Sequence, residues 1–268
     1  MDIKLIISDV DGTLIDYTEQ TSAEFDILAD LVRKHKLPLT LASGRCFTEL
    51  KRFSERLNID MPVIVNNGAG AILNGKSIWD NYIDPLHIKE AILCADKMDM
   101  AIVFGDGISE KAYKYNDYIQ NQIDKFSRYN HFYIPLENEW PSLKIQKVLI
   151  IDPKKEGRID LVIEKLKPYE DSLSIVRYNS RSVDIMPKNT TKASGILKLI
   201  EILGIDAKNV MAIGDAQNDI EMLSTVGLGV AVENAHEELK KCADYTCKNK
   251  NIKGVIEAVE RFYLKGQK

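Results

Sequence analysis

The sequence is short of every feature that would take the chain out of aqueous solution. Its apolar runs, such as KVLIID and VMAIG, are strand-length, far below the roughly 20 residues a membrane-spanning helix needs. A membrane span is not expected. The N-terminus lacks the basic-then-apolar profile of a signal peptide. The four cysteines, at 46, 94, 242 and 247, show none of the paired short spacings of a zinc site. Reduced thiols and a cytoplasmic location are the expectation. Neither sign of charge is gathered into a long block: 36 basic residues oppose 40 acidic ones for a net charge of -4, so no electrostatic footprint for nucleic acid stands out. Internal repeats and low-complexity segments are also missing. What is present is ordinary globular composition, 45% hydrophobic and 28% charged over 268 residues, enough to bury a substantial core in one large domain or two smaller ones.

The N-terminal part alternates short apolar runs with amphipathic stretches: IKLIIS, SAEFDILADLVRKH, LPLTLAS, CFTELKRFSERL and MPVIVNN. This reads as β-α-β-α-β, and strands apolar on both faces joined by helices predict a parallel sheet with helices packed on each side. The pattern returns near the C-terminus in SGILKLIEILG, VMAIGD, NDIEMLSTV, LGVAV and IKGVIEAVERF. The two parts read as one sheet split by an insertion. Between them, residues 82–186 mix strands and helices without that alternation, which predicts an α+β module. Within it SLSIVRYN and SVDIMP can form a hairpin across Asn179 and Ser180. Pro85 and Pro187 lie near its two edges, and LNGKS at 73–77 reads as a hairpin turn just before the first crossing.

The first strand runs into IISDVDGTLI, which sets Asp9 and Asp11 two positions apart at the end of an apolar run. Like charges repel, and a buried carboxylate is costly to desolvate, so such a pair implies a partner. Other readings are available. Asp-Gly between apolar runs is a hairpin signal, and Asp11 could cap the following turn. A calcium loop is excluded, because counting from Asp9 puts Leu14 where the glycine is needed and Gln20 where the bidentate Glu should stand.

Three further polar signals fall at the C-terminal ends of predicted parallel strands, where open α/β sheets bind ligands. LASGR places Ser43 and Gly44 at an expected helix N-terminus, suited to a phosphate oxygen or to plain N-capping. VMAIGD ends in Gly214 and Asp215 and leads to Asn218 and Asp219 at a helix start, where an acid also complements the dipole. Lys192 opens the helix after the insertion; alone, a lysine there is usually solvated. Together, Asp9, Asp11 and Asp215 make a hard oxygen cluster of the kind magnesium prefers. Ser43 and Lys192 would bring donors and positive charge to one phosphate, as phosphoryl transfer requires.

DVDGT at 9–13, LTLASGR with Ser43, Lys192, and GDAQND at 214–219 resemble, in order, the four motifs of the haloacid dehalogenase-like hydrolases. The long insertion, followed by VDIMPKNTTKASGILKL, is similar to the Cof-type branch with its α/β cap of the C2 type. AVENAHEELKKCADYTC is similar to that branch's segment after the fourth motif. The resemblance implies an α/β fold, with a Rossmann-like parallel-sheet core formed by 1–81 and 187–268 and a substrate-specificity cap at 82–186. It implies a magnesium-dependent phosphatase acting on small phosphorylated metabolites, sugar phosphates favoured, through an aspartyl phosphate. By the same resemblance Asp9 is the nucleophile, and Asp11 is the general acid for the leaving group and then the base for water. Mg2+ would be held by the Asp9 carboxylate, the Asp11 backbone carbonyl and Asp215, with Asp219 and Asn218 in support. The phosphoryl group would sit among Gly12, Thr13, Ser43, Gly44, Lys192 and Asn218. A sugar phosphomutase using the same intermediate, and a non-enzymatic phosphometabolite-binding regulator on the same fold, are the alternatives. Asn189 and Ala193 stand where the branch usually carries glycine, and Lys253 where aspartate is common; none of these removes a catalytic group.

Overall fold

A computed structural model of the chain describes residues 2–16, 22–129, 131–154, 156–178 and 180–265. In chain order the first part forms β1 (Leu5–Ser8), α1 (Glu24–His35), β2 (Leu39–Leu41), α2 (Phe47–Arg56) and β3 (Val63–Val65), then the hairpin β4 (Gly70–Leu73) and β5 (Lys76–Asp80). The middle part forms α3 (Pro85–Lys97), β6 (Ala101–Gly105), β7 (Glu110–Ala112), α4 (Asp117–Phe126), β8 (Lys147–Ile151), α5 (Ile159–Leu166), β9 (Leu173–Tyr178) and β10 (Ser182–Pro187). The last part forms α6 (Lys192–Leu203), β11 (Val210–Gly214), α7 (Ile220–Thr225), β12 (Leu228–Ala231), α8 (Glu237–Cys242), β13 (Tyr245–Thr246) and α9 (Asn251–Ala258). The chain divides into two compact units, Met1–Ile78 with Thr191–Lys268, and Trp79–Thr190.

The first unit is α/β. Its five-stranded sheet has the order β13-β12-β11-β1-β2, and every pairing is parallel. Both faces must then be covered, and β1 and β11 are buried along their whole length. The covering helices carry apolar stripes of helical period. In α1 the buried residues are Phe25, Leu28, Ala29 and Val32, one face of a 3.6-residue repeat. In the hairpin β4-β5, Asn74 and Gly75 both have positive φ, 51° and 75°, as a two-residue I′ turn demands.

The second unit holds an antiparallel sheet of order β7-β6-β8-β10-β9. Alternation along β6 shows how it is covered. Ile102 and Phe104 join Ile88, Ile92, Trp140 and Val148 in one cluster, whereas Ala101 and Val103 join Ile119 of α4 in another. β9 and β10 pair antiparallel from Tyr178↔Ser182 to Leu173↔Pro187, and Asn179 of the expected turn lies outside the described residues.

The divisions fall at 78/79 and 190/191 rather than at the expected 81/82 and 186/187. The side-chain amide of Gln146 donates to Asp80 at 2.7 Å and Asn81 reaches Thr190 at 3.4 Å, which ties 79–81 to the second unit. Thr190 N–H donates back to the Pro187 carbonyl at 3.2 Å, which keeps 188–190 there as well. Composition marks the change of architecture but not these closing contacts. Among the described residues no helix is long and apolar enough to cross a membrane.

One close approach in the first unit fixes the start of α6. A Cβ on Gly195 would stand 2.8 Å from the Gly68 Cα, and one on Gly68, whose φ is +100°, would stand 2.2 Å from the Thr191 carbonyl oxygen. Replacing a helical glycine by alanine ordinarily stabilises a helix by about 1 kcal/mol. Here the contact is with backbone, which cannot step aside, so the sign reverses. Gly195→Ala is expected to destabilise the fold by about 1–3 kcal/mol, read as a lower urea midpoint at unchanged m-value.

Candidate active site

Three parallel strands deliver their following residues to one edge of the sheet. β1 leads into Asp9, β2 into Ser43 and β11 into Asp215. Asp9 N–H donates to the Ile213 carbonyl at 2.9 Å, which carries the β1–β11 register one residue beyond β1. The chain then turns tightly. The Val10 carbonyl accepts from the N–H groups of Thr13, Leu14 and Ile15, and Gly12 N–H donates to Ile15 O at 2.7 Å. This is the turn that Asp-Gly announced, but it closes only an isolated Asp11–Ile15 bridge and joins no hairpin strands. Gly12 has φ +87°, and a Cβ there would lie 2.1 Å from Asp215 Oδ2. Glycine is required on both grounds.

Opposite these acids stands Lys192. Helix α6 begins at this residue, capped by Thr191, whose side chain accepts from Ser194 N–H while the Ser194 hydroxyl accepts from Thr191 N–H. The Lys192 ammonium donates to Asp9 Oδ1 at 2.5 Å and to Asp219 Oδ1 at 2.7 Å. Asp219 Oδ2 accepts from the N–H groups of Asp215 and Ala216 at 3.1 and 3.0 Å, and Asp215 Oδ1 accepts from the Thr13 hydroxyl at 2.8 Å. All four charged residues are buried. Asp9, Asp215 and Asp219 each offer a carboxylate oxygen within 4.8 Å of the others.

Three carboxylates facing one ammonium leave negative charge in excess in a desolvated site. Burial therefore pushes the Asp9 carboxyl well above its ordinary range; Lys192 opposes the shift, and Asp219 and Asp215 add to it. Burial raises Asp215 as well, with the Thr13 hydrogen bond pulling the other way. Burial alone would lower Lys192, but the Asp219 and Asp9 carboxylates outweigh it and hold the ammonium above the usual lysine range. A set of hard oxygens short of positive charge is what a divalent cation with oxygen preference fits.

The remaining expected residues fall less uniformly. The Asp11 carboxylate is outside the acid cluster and instead meets Arg45: Nε donates to Oδ2 at 2.8 Å and Nη2 donates to Oδ1. Ser43 is buried, but it does not open a helix. Helix α2 begins at Phe47, after Cys46, and the Ser43 hydroxyl accepts from Arg45 N–H at 3.2 Å. Gly44 lies in the same turn, where a Cβ would come within 3.1 Å of Asn67 Oδ1. Asn218 is exposed, in the short 3-10 turn Gln217–Asp219, and among the described residues no hydrogen bond joins it to the acids.

Several residues that build the site carried no strong signal in the sequence. Asn234 and Asn251 both donate side-chain amide hydrogens to the Gly12 carbonyl, at 2.8 and 2.7 Å, and Asn251 N–H donates to Asn234 Oδ1 at 2.8 Å. Glu257 holds the preceding loop through the N–H groups of Lys248 and Asn249. Asn66 and Asn67, both at positive φ, donate their N–H groups to the Arg45 and Ser43 carbonyls at 3.0 and 2.9 Å. The NNG at 66–68 was the available cue, since asparagine tolerates that conformation better than most residues. It also accounts for Asn189, which replaces a usual glycine at φ 60°. Lys253 pairs at the surface with Glu24 at 3.1 Å.

Removing Lys192 tests the charge balance. Lys192→Met strands two buried carboxylates, and without divalent ions it is expected to cost about 3–5 kcal/mol at neutral pH. The pH dependence has a definite sign. The folded state keeps the Asp9 proton at a pH where the unfolded chain has lost it, so stability falls as pH rises from the ordinary carboxylate range through the raised value. Without Lys192 that value rises further, and the extra loss should shrink on acidification. The raised Lys192 acts oppositely, stabilising fully below the ordinary lysine range and losing effect only as pH climbs above it. Urea unfolding of both proteins in chelator at pH 5 and 8 measures this; an equal difference at the two pH values would refute it.

This arrangement has counterparts. The model of the haloacid dehalogenase-like hydrolases matches residues 6–259, which contain every one of the residues above. Phosphoglycolate phosphatase of Methanosarcina acetivorans is 26% identical over 97% of this chain and 96% of its own. The 5-amino-6-(5-phospho-D-ribitylamino)uracil phosphatase YcsE of Bacillus subtilis is 27% identical over 98% and 97%. Among solved structures, a haloacid dehalogenase-like hydrolase from Bacteroides thetaiotaomicron has a TM-score of 0.84 at 25% identity, covering 97% of this chain and 100% of its own. The HAD subclass IIB sugar phosphatase BT4131 shares the fold, with a TM-score of 0.77 at 23% identity over 97% and 98%. With the match running through nearly the whole chain and the buried acids standing at the strand ends, the protein belongs to the haloacid dehalogenase-like hydrolases, as a phosphatase of their Cof-type branch.

Proposed function

We propose that this phosphatase is magnesium-dependent and hydrolyses small phosphorylated metabolites, sugar phosphates in first place, through an aspartyl phosphate on Asp9. The observation that carries the reading is the buried Lys192 ammonium between Asp9 and Asp219, with Asp215 beside them. It supplies a nucleophilic carboxylate, a fixed cation and an oxygen-ligand set in one place. Two relatives are named for small phosphate esters, one of a two-carbon acid and one of a ribityl compound. That supports a polyhydroxylated or small acidic leaving group. The four free thiols suit a reducing compartment such as the cytoplasm, and the net charge of -4 gives no reason to invoke nucleic acid.

In this reading an Asp9 oxygen attacks phosphorus and the bond to the leaving oxygen breaks, while the Asp11 carboxylic acid gives that oxygen its proton. Asp11, now a carboxylate, then takes a proton from water as the water oxygen attacks phosphorus. The Asp9–phosphorus bond breaks, releasing inorganic phosphate and restoring both acids. Lys192 balances the charge of the transferring group. Ser43, Gly44, Gly12, Thr13 and Asn218 are proposed to line the phosphate position. Asp9, Asp215 and the Asp11 carbonyl would hold Mg2+, with Asp219 orienting Lys192 and the 215–216 backbone. Bound there, Mg2+ would supply the missing positive charge and neutralise phosphate oxygens. The second unit is proposed to choose among leaving groups and to exclude water.

Magnesium should raise the thermal midpoint of the apoprotein, since a ligand at 100 times its Kd stabilises by about 2.7 kcal/mol. Chelation should abolish turnover and added magnesium restore it, and Asp215→Asn should lose most of both effects. Full activity in excess chelator would rule out the metal.

The two acids of the opening stretch separate in a second experiment. Asp9→Asn leaves a poor amide nucleophile, so no phosphoenzyme should form and turnover should fall to background. Asp11→Asn keeps the nucleophile and loses the proton donor and base, contributions of about 10²- to 10⁴-fold each. With an activated aryl phosphate that variant should still be phosphorylated at Asp9 and hydrolyse the intermediate slowly. An acyl phosphate trapped in the Asp9 variant, or equal bursts in both, would show the roles wrongly assigned. Label returned to a sugar rather than to water would make the protein a mutase.

A further inference from the structure

We propose that Arg45 is a positioning residue for proton transfer, holding the Asp11 carboxyl group in the place and plane from which it gives a proton to the leaving oxygen and then, as a carboxylate, takes one from the attacking water. The proposal rests on the reading of Asp11 as acid and base. The Asp11 side chain needs such support, because it is 43% exposed, whereas that of Arg45 is 8% exposed. An unrestrained carboxylate on a half-open turn would spread over several rotamers, most of them turned to solvent. Arg45 meets it with two N–H groups, Nε on Oδ2 at 2.8 Å and Nη2 on Oδ1. A bidentate guanidinium contact fixes the plane of a carboxylate as well as its position, which a lysine cannot do.

Arg45 is itself built in from the backbone outward. Its N–H donates to the Ser43 hydroxyl at 3.2 Å, its carbonyl accepts from Asn66 N–H at 3.0 Å, and its guanidinium carbon lies 6.0 Å from the centre of the Phe53 ring. Its backbone is thus held by the same turn that carries Ser43. That turn is thereby linked to Asp11, so one loop would present the phosphate-side hydroxyl and orient the proton carrier. The competing role is a direct phosphate ligand. That role would use the guanidinium N–H groups that do not face Asp11, so the two roles are distinguished by function and not by the Asp11 contact alone.

The roles separate by leaving group. Phosphorylation by p-nitrophenyl phosphate needs little protonation of the leaving oxygen, phosphorylation by phenyl phosphate needs much more, and dephosphorylation needs the base in either case. Arg45→Gln should therefore leave the p-nitrophenol burst near the wild-type rate. Phosphorylation by phenyl phosphate and hydrolysis of the phosphoenzyme should each fall by about 10- to 100-fold, the scale of a 1 Å misplacement. Arg45→Lys should fall in between. In the Asp11→Asn background, Arg45→Gln should cause no further loss, since nothing remains to be positioned. An equal fall for both esters, a slowed burst, weaker inhibition by inorganic phosphate, or a further loss in the double variant would overturn the proposal in favour of phosphate binding. Absence of any phosphoenzyme in the wild type would instead overturn the reading beneath it, and the proposal with it.

Discussion

The structure of the first unit is organised by one electrostatic constraint, an ammonium group buried among three carboxylates. Each charge there has lost most of its water, and an unpaired buried charge is among the costliest features a fold can carry. Lys192 offsets two of the acids directly. Much of the neighbouring architecture sets where that nitrogen stands. The capping box at Thr191 and Ser194 starts α6 at the right residue. The Gly68–Gly195 approach brings its first turn down onto the end of β3, with no side chain between. Asp219 gives one oxygen to the lysine and the other to two backbone N–H groups, so it is both partner and brace. The site is held by the start of a helix and the ends of strands, which move less than long loops do.

The parallel sheet supplies the second requirement, convergence. Because all five strands of the sheet β13-β12-β11-β1-β2 run the same way, their exits fall on one edge and residues far apart in the chain become neighbours. Asp9 and Asp215 meet because β1 and β11 are adjacent in the order β13-β12-β11-β1-β2, a contact that no local spacing could create. The loops leaving that edge hold one another in turn. Glu257 fixes the 248–249 backbone, Asn251 reaches the Gly12 carbonyl, and Asn234 both joins it there and receives the Asn251 N–H. Three late segments thereby brace a turn formed at the eleventh residue of the chain.

The charged part of this site was legible in the sequence and the neutral part was not, for a physical reason. Carboxylates at the ends of apolar runs violate the ordinary cost of burial, so Asp9 and Asp215 announce themselves, and Lys192, unremarkable alone, gains meaning only in their company. Amides carry no such signal. Asn234 and Asn251 sit in polar loops where asparagine is common, and only the fold shows that they share an acceptor. LASGR places Ser43 at an expected helix N-terminus, suited to a phosphate oxygen or to N-capping. The helix starts later, at Phe47, because the intervening residues make a turn that serves Arg45 and Asn67 instead. Asn218, expected beside the acids from its company, lies exposed in the turn before α7. The limits of the second unit escaped for a similar reason, since they depend on the contacts of Asp80, Asn81 and Thr190 rather than on a change in composition.

The two acids that opened the question end in different surroundings, and the difference follows from two residues of chain. Asp9 immediately follows a buried strand, so its side chain enters the desolvated cluster beside Lys192 and Asp215. Asp11 stands at the outer edge of the turn that Gly12 closes, half in water and paired with an arginine. In the roles proposed for them, a carboxylate that attacks phosphorus gains from being dry, fixed and charge-balanced, because solvent would have to be stripped from it at the moment of reaction. A carboxylate that must exchange a proton with a leaving group and with water has to be reachable by both. Burying the pair equally would suppress the second role, and exposing it equally would weaken the first. A strand that ends at Ser8 and a tight turn that closes at Gly12 place the two acids in these two surroundings within a few residues.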